Sequence, residues 1–259
     1  MRVVTLIENT ACNSELGCEH GLSLYIETGD RKILFDAGQS ELFAENAQRL
    51  GIDLANVDFA VLSHGHFDHG GGLLRFLEIN QTAPVYLHRD AFLPHYNGQN
   101  KDIGLDPLLR ESDRLILTND ERELAPGIRL CSCNRELRPY GTDSAGLQED
   151  GHPDLFLHEQ YLLIEEAGKR ICFSGCSHKG ILNIMEWFIP DVLFGGFHFM
   201  KIEPVGEGAD RLAEAATELL RYPTIYYTGH CTGEVQFAFL KARMGDRLHA
   251  LSAGTVLDI

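Results

Sequence analysis

The chain has 259 residues, and its 22 Lys and Arg against 38 Asp and Glu give a formal net charge of −16. Its hydrophobic fraction of 44% and charged fraction of 23% are typical of a globular protein and exclude an intrinsically disordered chain. The negative charge argues against nucleic acid or an anionic membrane as a partner, because both are bound mainly through Lys and Arg. Twelve histidines are a high number beside one Trp and four Met.

In the first part of the chain, two strands are predicted to pair as a hairpin. Residues 22–27 and 32–36 flank Thr28-Gly29-Asp30-Arg31, which is a hairpin turn signal. Residues 40–50 have apolar positions at helical spacing between Ser40 and Gly51, which predicts a helix with both ends marked. The other predicted elements here are strands at residues 3–7, 57–62 and 85–88 and a helix at residues 72–79.

The rest of the chain predicts strands and helices that are interrupted by two irregular stretches. Residues 95–113 and 135–154 show no sustained period, and the first is a candidate lid or insertion. The predicted strands lie at residues 114–117, 127–133, 160–165, 170–174, 192–194, 224–228 and 248–252, and the predicted helices at residues 180–188, 209–221 and 235–244. Because no linker divides the sequence, we expect one α/β domain over residues 1–259.

The N-terminal and cysteine patterns predict a cytoplasmic protein. The first residues, MRVVTLIENTACNSELG, have the features of neither a signal peptide nor a transit peptide. No stretch approaches the about 18–20 consecutive apolar residues of a membrane span. Seven cysteines at irregular spacing indicate reduced thiols, most of them buried as small apolar side chains, instead of a disulfide framework.

The strongest signal is an HxHxDH motif directly after a predicted strand. His64 and His66 are two residues apart, so their side chains point the same way in an extended segment. Asp68 and His69 follow where the chain turns into a helix, and they can reach a different centre. Neutral imidazoles with one carboxylate suit Zn²⁺, and also Mn²⁺ or Fe²⁺. We therefore predict a site for one or two metal ions at the carboxyl edge of a sheet.

Three further predicted strands are each followed by glycine and then histidine. The segments read Gly175-Cys176-Ser177-His178, Gly195-Gly196-Phe197-His198 and Gly229-His230. This repeated context predicts His178 and His230 as site residues, whereas His198 and His158 stay open between a role in the site and a structural role. The remaining histidines lack the context and are interpreted as structural: His20, His88, His95, His152 and His249.

With Phe35-Asp36-Ala37-Gly38, the HxHxDH motif and Gly229-His230, the chain resembles the metallo-β-lactamase superfamily over nearly its whole length. The resemblance implies a four-layer αββα sandwich with a two-metal site at one edge. It also implies the role of each motif residue: His64 and His66 as ligands of the first metal, Asp68, His69 and His230 as ligands of the second, and Asp36 as a support of the ligand loop.

The sequence departs from that family pattern at two positions. Cys176 stands where the family usually has a bridging aspartate, so either its thiolate binds the metal or the bridging position is empty. The third histidine of the first metal normally lies upstream of that step, and residues 133–138 contain no histidine. His178 is the first candidate to replace it, and His158 is the second.

The segments GCSHKGILN (residues 175–183), GGFH (195–198) and GHCTG (229–233) resemble one branch of the superfamily. That branch contains the archaeal 7,8-dihydropterin-6-methyl-4-(ribofuranosyl)aminobenzene phosphate synthases. The first function to consider is a metal-dependent hydrolase of a small anionic ester or phosphoester, in which Asp68 also orients the attacking water. The second is a synthase-type transferase, in which the metal stabilises a leaving diphosphate. The third is a non-enzymatic metal or ligand sensor, although the sequence shows no further domain that would transmit a signal.

Overall fold

Two seven-stranded sheets form the centre of the computed structural model, which describes residues 1–98, 100–142 and 144–259. In chain order, the first sheet contains β1 (Arg2–Ile7), β2 (Ser23–Thr28), β3 (Arg31–Phe35), β4 (Phe59–Val61), β5 (Val85–His88), β7 (Leu115–Thr118) and β17 (Val256–Asp258). The second contains β8 (Glu121–Ala125), β9 (Ile128–Cys131), β12 (Tyr161–Glu166), β13 (Lys169–Phe173), β14 (Val192–Phe194), β15 (Ile225–Thr228) and β16 (Leu248–Ala250). A small third sheet pairs β6 (His95–Tyr96), β10 (Gln148–Glu149) and β11 (His152–Pro153).

Helices cover the outer face of each large sheet. The helices beside the first sheet are α1 (Leu42–Arg49), α2 (Phe67–Gly70) and α3 (Leu73–Ile79), and those beside the second are α4 (Ile181–Phe188), α5 (Glu207–Leu219) and α6 (Glu234–Met244). Short 3₁₀ turns occur at Leu54–Asn56, Arg89–Phe92, Pro107–Glu111, His230–Thr232 and Gly245–Arg247. The four layers confirm the αββα sandwich that the sequence predicts.

The alternation of side chains along each strand divides the core into three layers. In β3, Ile33 and Phe35 pack into the core between the two sheets, while Leu34 packs with the helices of the first sheet. Phe35 meets Phe173 of the second sheet at a ring-centroid distance of 5.8 Å. Each fully buried side chain of this size contributes about 1.5–3 kcal/mol to folding. The inter-sheet core therefore fixes how the strand ends of the two sheets face one another.

Most predicted elements are confirmed within a few residues at each end. The hairpin is formed by β2 and β3 in antiparallel register, from Leu24 opposite Phe35 to Thr28 opposite Arg31. The helix predicted for residues 40–50 is α1, and Gly51 behind it has a φ of +72°. Two edge strands, β8 and β17, were not predicted, because β8 is largely exposed and polar and β17 is short.

The parallel strands all place their carboxyl ends at one edge of the sandwich. In the first sheet β3 runs parallel to β4, and in the second β13, β14 and β15 run parallel to each other. The segments that follow these strand ends carry the motif residues.

Among the described residues, no helix has the length and apolarity needed to cross a membrane.

Candidate metal centre

The carboxyl ends of four parallel strands supply the predicted site residues. The HxHxDH motif follows β4, with His66 at the amino end of α2. Cys176 and His178 follow β13, and His198 and His230 follow β14 and β15. The structure brings these histidines, with Asp68, into one largely buried cluster.

His64 and His178 form the first close pair. Their Nε2 atoms are 3.2 Å apart, and both side chains are buried. Two nitrogens bound at about 2.0–2.1 Å to one tetrahedral zinc ion lie about 3.3 Å apart, so this spacing suits shared coordination. Burial, together with the neighbouring histidines, holds the pKa of each imidazole well below its usual value, so both rings are neutral and can donate a lone pair.

His66 lies beside this pair. Its ring centroid is 4.6 Å from that of His64 and 5.0 Å from that of His178. Burial lowers the pKa of His66 well below its usual value. Its buried Nε2 has no hydrogen-bond partner among the described residues, and neither has Nδ1 of His178. Buried polar atoms without a protein partner are rare, and a bound cation or water is a common reason for them.

The second group consists of His69, His230 and Asp68. The two Nε2 atoms of the histidines are 3.2 Å apart, and Oδ2 of Asp68 is 3.3 Å from Nε2 of His230 and 3.9 Å from Nε2 of His69. Burial alone would raise the pKa of Asp68, but His69 and His230 outweigh it and hold the pKa below its usual range. Asp68 is therefore an ionised carboxylate that is suited to bind a cation.

Asp36 orients this second group from behind. Its Oδ2 accepts hydrogen bonds from Nδ1 of His69 at 2.7 Å and from the Ser63 hydroxyl at 2.8 Å, and its Oδ1 accepts the Ser63 backbone N–H at 2.7 Å. Burial would lower the pKa of His69, but the charges of Asp36 and Asp68 raise it to about 9. Nδ1 keeps its proton towards Asp36, so Nε2 is the nitrogen that a metal would use. Nδ1 of His230 is held in the same way, at 3.0 Å from Oδ1 of Asn9.

Cys176 lies between the two groups. Its Sγ is 3.1 Å from Nε2 of His69, and it lies within 4.8 Å of the nearest donor atoms of both groups. Burial, followed by the neighbouring Cys231, raises the pKa of the Cys176 thiol well above its usual value. Gly175 has a φ of +63°, and a Cβ there would collide with Ser63 Oγ, so the close approach of this loop requires glycine. The structure thus puts the thiol within reach of the donor atoms of both groups.

His158, the alternative to His178, has both ring nitrogens engaged. Its Nδ1 accepts the Gly65 backbone N–H at 2.8 Å, so in the neutral ring Nε2 carries the proton and faces Oδ2 of Asp154 at 3.3 Å. Burial lowers the pKa of His158 to about 4 despite Asp154. The geometry therefore favours His178 over His158 as the partner of His64.

His95 and His20, which the sequence analysis interpreted as structural, also lie at the site. His95, His66, His158 and Asp154 have donor atoms within 4.8 Å of one another, and Nδ1 of His95 is 3.4 Å from Oδ2 of Asp154. Nε2 of His20 is 3.5 Å from Oδ2 of Asp68. No strand–glycine context marks either residue, because both lie in irregular segments. His88, His152 and His249 lie outside the clusters that the described residues form.

A buried carboxylate fixes the loop that carries His178. Oε1 of Glu159 accepts the His178 backbone N–H at 2.7 Å, and Oε2 accepts the Lys179 N–H at 2.9 Å. The Lys179 ammonium donates back to the Glu159 carbonyl at 2.7 Å and to Asn134 Oδ1 at 2.8 Å. Burial lowers the pKa of Lys179 to about 8. This support could not be predicted from the sequence, because Glu159 and Asn134 lie in no motif.

His198 lies at the side of the site. Its ring centroid is 4.3 Å from that of His178, and its buried Nδ1 has no hydrogen-bond partner in the part of the chain that the structure describes. It also groups with Cys176 and Cys231. The structure thus places His198 near the centre but not in either close group.

A cavity of about 250 Å³ opens onto both groups, and its described lining includes His66, Asp68, Cys176, His178, His198 and His230. Four larger surface cavities, of about 520, 490, 600 and 270 Å³, contain none of the metal-ligating clusters of the described residues. Imidazoles, one ionised carboxylate, the Cys176 thiol and unpartnered buried nitrogens make up a donor set that fits one or two divalent cations.

Comparison with known proteins finds relatives along nearly the whole chain. The model of the metallo-beta-lactamase superfamily matches residues 16–230. A 7,8-dihydropterin-6-methyl-4-(beta-D-ribofuranosyl)-aminobenzene-5'-phosphate synthase of Methanocaldococcus jannaschii is 29% identical over an alignment of 287 positions. The alignment covers 96% of this chain and 95% of the synthase. An uncharacterized protein of the same organism is 33% identical over 214 residues, which cover 76% of this chain and 79% of that protein. The crystal structure of a metal-dependent hydrolase of the beta-lactamase superfamily has a TM-score of 0.84 at 26% identity, and the match covers 100% of this chain and 99% of that chain.

Proposed function

The chain belongs to the metallo-β-lactamase superfamily, and on that premise we propose that it is a metal-dependent hydrolase of a small anionic ester or phosphoester. The observation that carries the proposal is the pair of imidazole contacts at 3.2 Å, His64 with His178 and His69 with His230, beside one cavity that His178 and His230 line. Superfamily members typically bind divalent metals at such clusters. A similar structure that is described as a metal-dependent hydrolase supports the reaction class.

We propose that the two groups hold two ions, most readily Zn²⁺, with Mn²⁺ or Fe²⁺ as alternatives. The residues proposed for the first ion are His64, His66 and His178, and those for the second are Asp68, His69 and His230. The Cys176 thiolate would lie between the ions, where a cation would counter the burial that now raises its pKa. Asp36 would hold the Nδ1 proton of His69 whether or not a metal ion is bound.

When bound, the ions would polarise the scissile group and lower the pKa of a water molecule. Asp68 is the one carboxylate among the described residues of the cavity, and its side chain is 13% exposed. Its Oδ2 can accept a hydrogen bond from the attacking water and so orient it. His20, whose Nε2 is 3.5 Å from the same oxygen and whose side chain is half-exposed, can accept the proton that the attacking water releases. Burial lowers the pKa of His20, so the neutral ring is its resting form.

A transferase is the second candidate function, and one finding favours it. The synthase relative is similar over 96% of this chain and 95% of its own length. In a transfer reaction the same groups would bind the leaving anion, and the acceptor would replace water. Hydrolysis in H₂¹⁸O separates the two, because only hydrolysis places one solvent oxygen in the product. A product without ¹⁸O, formed only when an acceptor is present, would overturn the hydrolase proposal in favour of transfer.

The proposal places the protein in the cytoplasm, with a small-molecule substrate and no nucleic-acid or membrane partner. All seven cysteines are free thiols, which supports a reducing compartment. The net charge of −16 supports the proposal that the protein binds neither nucleic acid nor an anionic membrane.

The test of the function is the double variant His64→Ala/His66→Ala. Purified from metal-replete medium, it should contain at least one metal ion fewer per chain than the wild type and should lose hydrolysis of p-nitrophenyl esters and phosphoesters. The exposed His152→Ala variant is the matched control and should keep both properties. A folded double variant with the full metal content of the wild type would contradict the site, and a wild type without stoichiometric metal would contradict the function.

A further inference from the structure

Two lysines lie at the mouth of the cavity that opens onto the candidate metal centre. Lys101 and Lys201 are both exposed, and both line it. The chain has only six lysines and a net charge of −16, so two of them at one small cavity are a local concentration of positive charge. Among the described lining residues, the ion pairs are those of His20 and His230 with Asp68. Neither lysine is neutralised by a carboxylate there.

Lys101 is fixed to the helix of the HxHxDH motif. The Phe67 backbone N–H donates to the Ile103 carbonyl at 2.9 Å, and the Lys101 N–H donates to Asn97 Oδ1 at 3.1 Å. The Lys101 ammonium lies 5.6 Å from the ring centroid of Phe67, which stands between His66 and Asp68 in the chain. The loop therefore holds this positive charge at a defined place beside the first turn of α2.

Lys201 is fixed at the turn that carries His230. The Met200 backbone N–H donates to the Cys231 carbonyl at 3.0 Å, and Gln236 Nε2 donates to the Met200 carbonyl at 3.2 Å. The Lys201 ammonium donates to the Ala145 carbonyl at 2.8 Å. A carbonyl satisfies one of its three N–H groups without removing its charge, so the ammonium keeps donors for a ligand.

The size of the cavity decides what these charges can bind. Its volume of about 250 Å³ is below the about 300–1,000 Å³ of pockets that enclose a drug-sized ligand. The reacting group of a substrate fills the floor, and the rest of the molecule extends to the mouth. The apolar side chains of its described lining include Phe67, Ile103, Leu147 and Met200.

We infer that Lys101 and Lys201 form a second anion subsite, which holds a non-reacting phosphate or carboxylate group of the substrate. This inference rests on the proposed function and narrows its substrate to small molecules that carry two anionic groups joined by a carbon skeleton. The floor binds one group and the lysines bind the other, so the two charges orient the substrate along the cavity.

The test compares probes with one and two anionic groups on the metal-loaded protein. Methylphosphonate has one such group, and α,ω-bisphosphonates with one to four methylene groups have two. Calorimetric titration of the wild type should find one bisphosphonate that binds more tightly than methylphosphonate. In Lys101→Gln/Lys201→Gln this advantage should fall by about 5- to 20-fold, as expected for two partly exposed charge contacts, while methylphosphonate affinity changes by less than about twofold.

The matched control is Lys32→Gln/Lys169→Gln, which removes the same charge at the amino ends of β3 and β13, away from the site. It should leave both probes unaffected. A wild type without any bisphosphonate advantage, an advantage that survives in the Lys101→Gln/Lys201→Gln variant, or an equal loss in the control would overturn the subsite. Metal analysis of the same samples separates a failure of the proposed function from a failure of the proposed subsite. Wild type without metal contradicts the proposed function, whereas metal-loaded protein without the advantage contradicts the subsite alone.

Discussion

The two halves of the candidate metal centre are built differently. We call Asp68, His69 and His230 the carboxylate half, and His64, His66 and His178 the histidine half. In the carboxylate half, Nδ1 of each imidazole makes a hydrogen bond, in His69 to Asp36 and in His230 to Asn9. In the histidine half, only His64 has such a partner, the Ser63 hydroxyl at 2.8 Å. His66 and His178 each keep a buried nitrogen without a partner among the described residues.

Because of this difference, we expect the two halves to attract a cation by different interactions. The carboxylate half carries a fixed negative charge and oriented rings, and a metal ion there would displace the second proton of His69, whose pKa is raised to about 9. The histidine half consists of neutral imidazoles whose pKa is lowered by burial, so it binds through lone pairs alone. We therefore expect two metal affinities, with the tighter one in the carboxylate half.

The largest effect is expected for Asp68→Ala. It removes the only carboxylate among the proposed ligands. Replacing a residue that supports a ligand costs about 10- to 100-fold in metal affinity, so the loss in the carboxylate half should be larger than that. The metal content should fall by one ion per chain, while the histidine half keeps its ion. Chelator competition with metal analysis measures this. Asp30→Ala, at a side chain 89% exposed, is the control. An unchanged metal content in Asp68→Ala would break the comparison.

A smaller effect is expected for Asp36→Asn, which keeps the shape but removes the charge behind His69. The Asn side chain cannot accept all three hydrogen bonds that Asp36 now accepts. Affinity of the carboxylate half should fall by about 10- to 100-fold, and the metal-free protein should lose about 3 kcal/mol in its free energy of unfolding. Ser63→Ala removes one of these bonds without a charge and should cost less in both measurements. The reverse order would contradict the role assigned to Asp36.

The smallest effect is expected for Asp154→Asn, which acts on the histidine half through two intermediates. Asp154 faces His158, and His158 accepts the backbone N–H of Gly65 between His64 and His66. His158 and His95 hold the pKa of Asp154 below its usual range although burial opposes this, so a charge is lost in the variant. Affinity of the histidine half should fall by about tenfold or less, with the carboxylate half unaffected. Exposed Asp150→Asn serves as the control, and a loss confined to the carboxylate half would refute the pathway.

The sequence predicted several residues of this metal centre because those residues come directly after strands. Each strand end at the carboxyl edge is marked by an apolar run and a glycine, and the chain context alone placed His64, His178 and His230 in one cluster. The fold class followed from the same alternation of strands and helices, and from the family motifs.

The supporting residues could not be predicted in this way. His95 and Asp154 lie in irregular stretches, where neither period nor turn signal says what they face. His20 precedes β2 in a loop, and Glu159 acts through backbone N–H groups that no motif encodes. The two missed edge strands, β8 and β17, have little buried apolar surface to mark them. Their positions are decided by tertiary contacts, which a single sequence does not display.

The most direct test of the two-half account is a Co²⁺ titration of the metal-free wild type, followed by absorption and by competition with a chelator. The account predicts two classes of site with different affinities, of which the tighter is absent in Asp68→Ala and the weaker is absent in His64→Ala/His66→Ala. A single class of site that both variants weaken equally, or no stoichiometric binding, would contradict it.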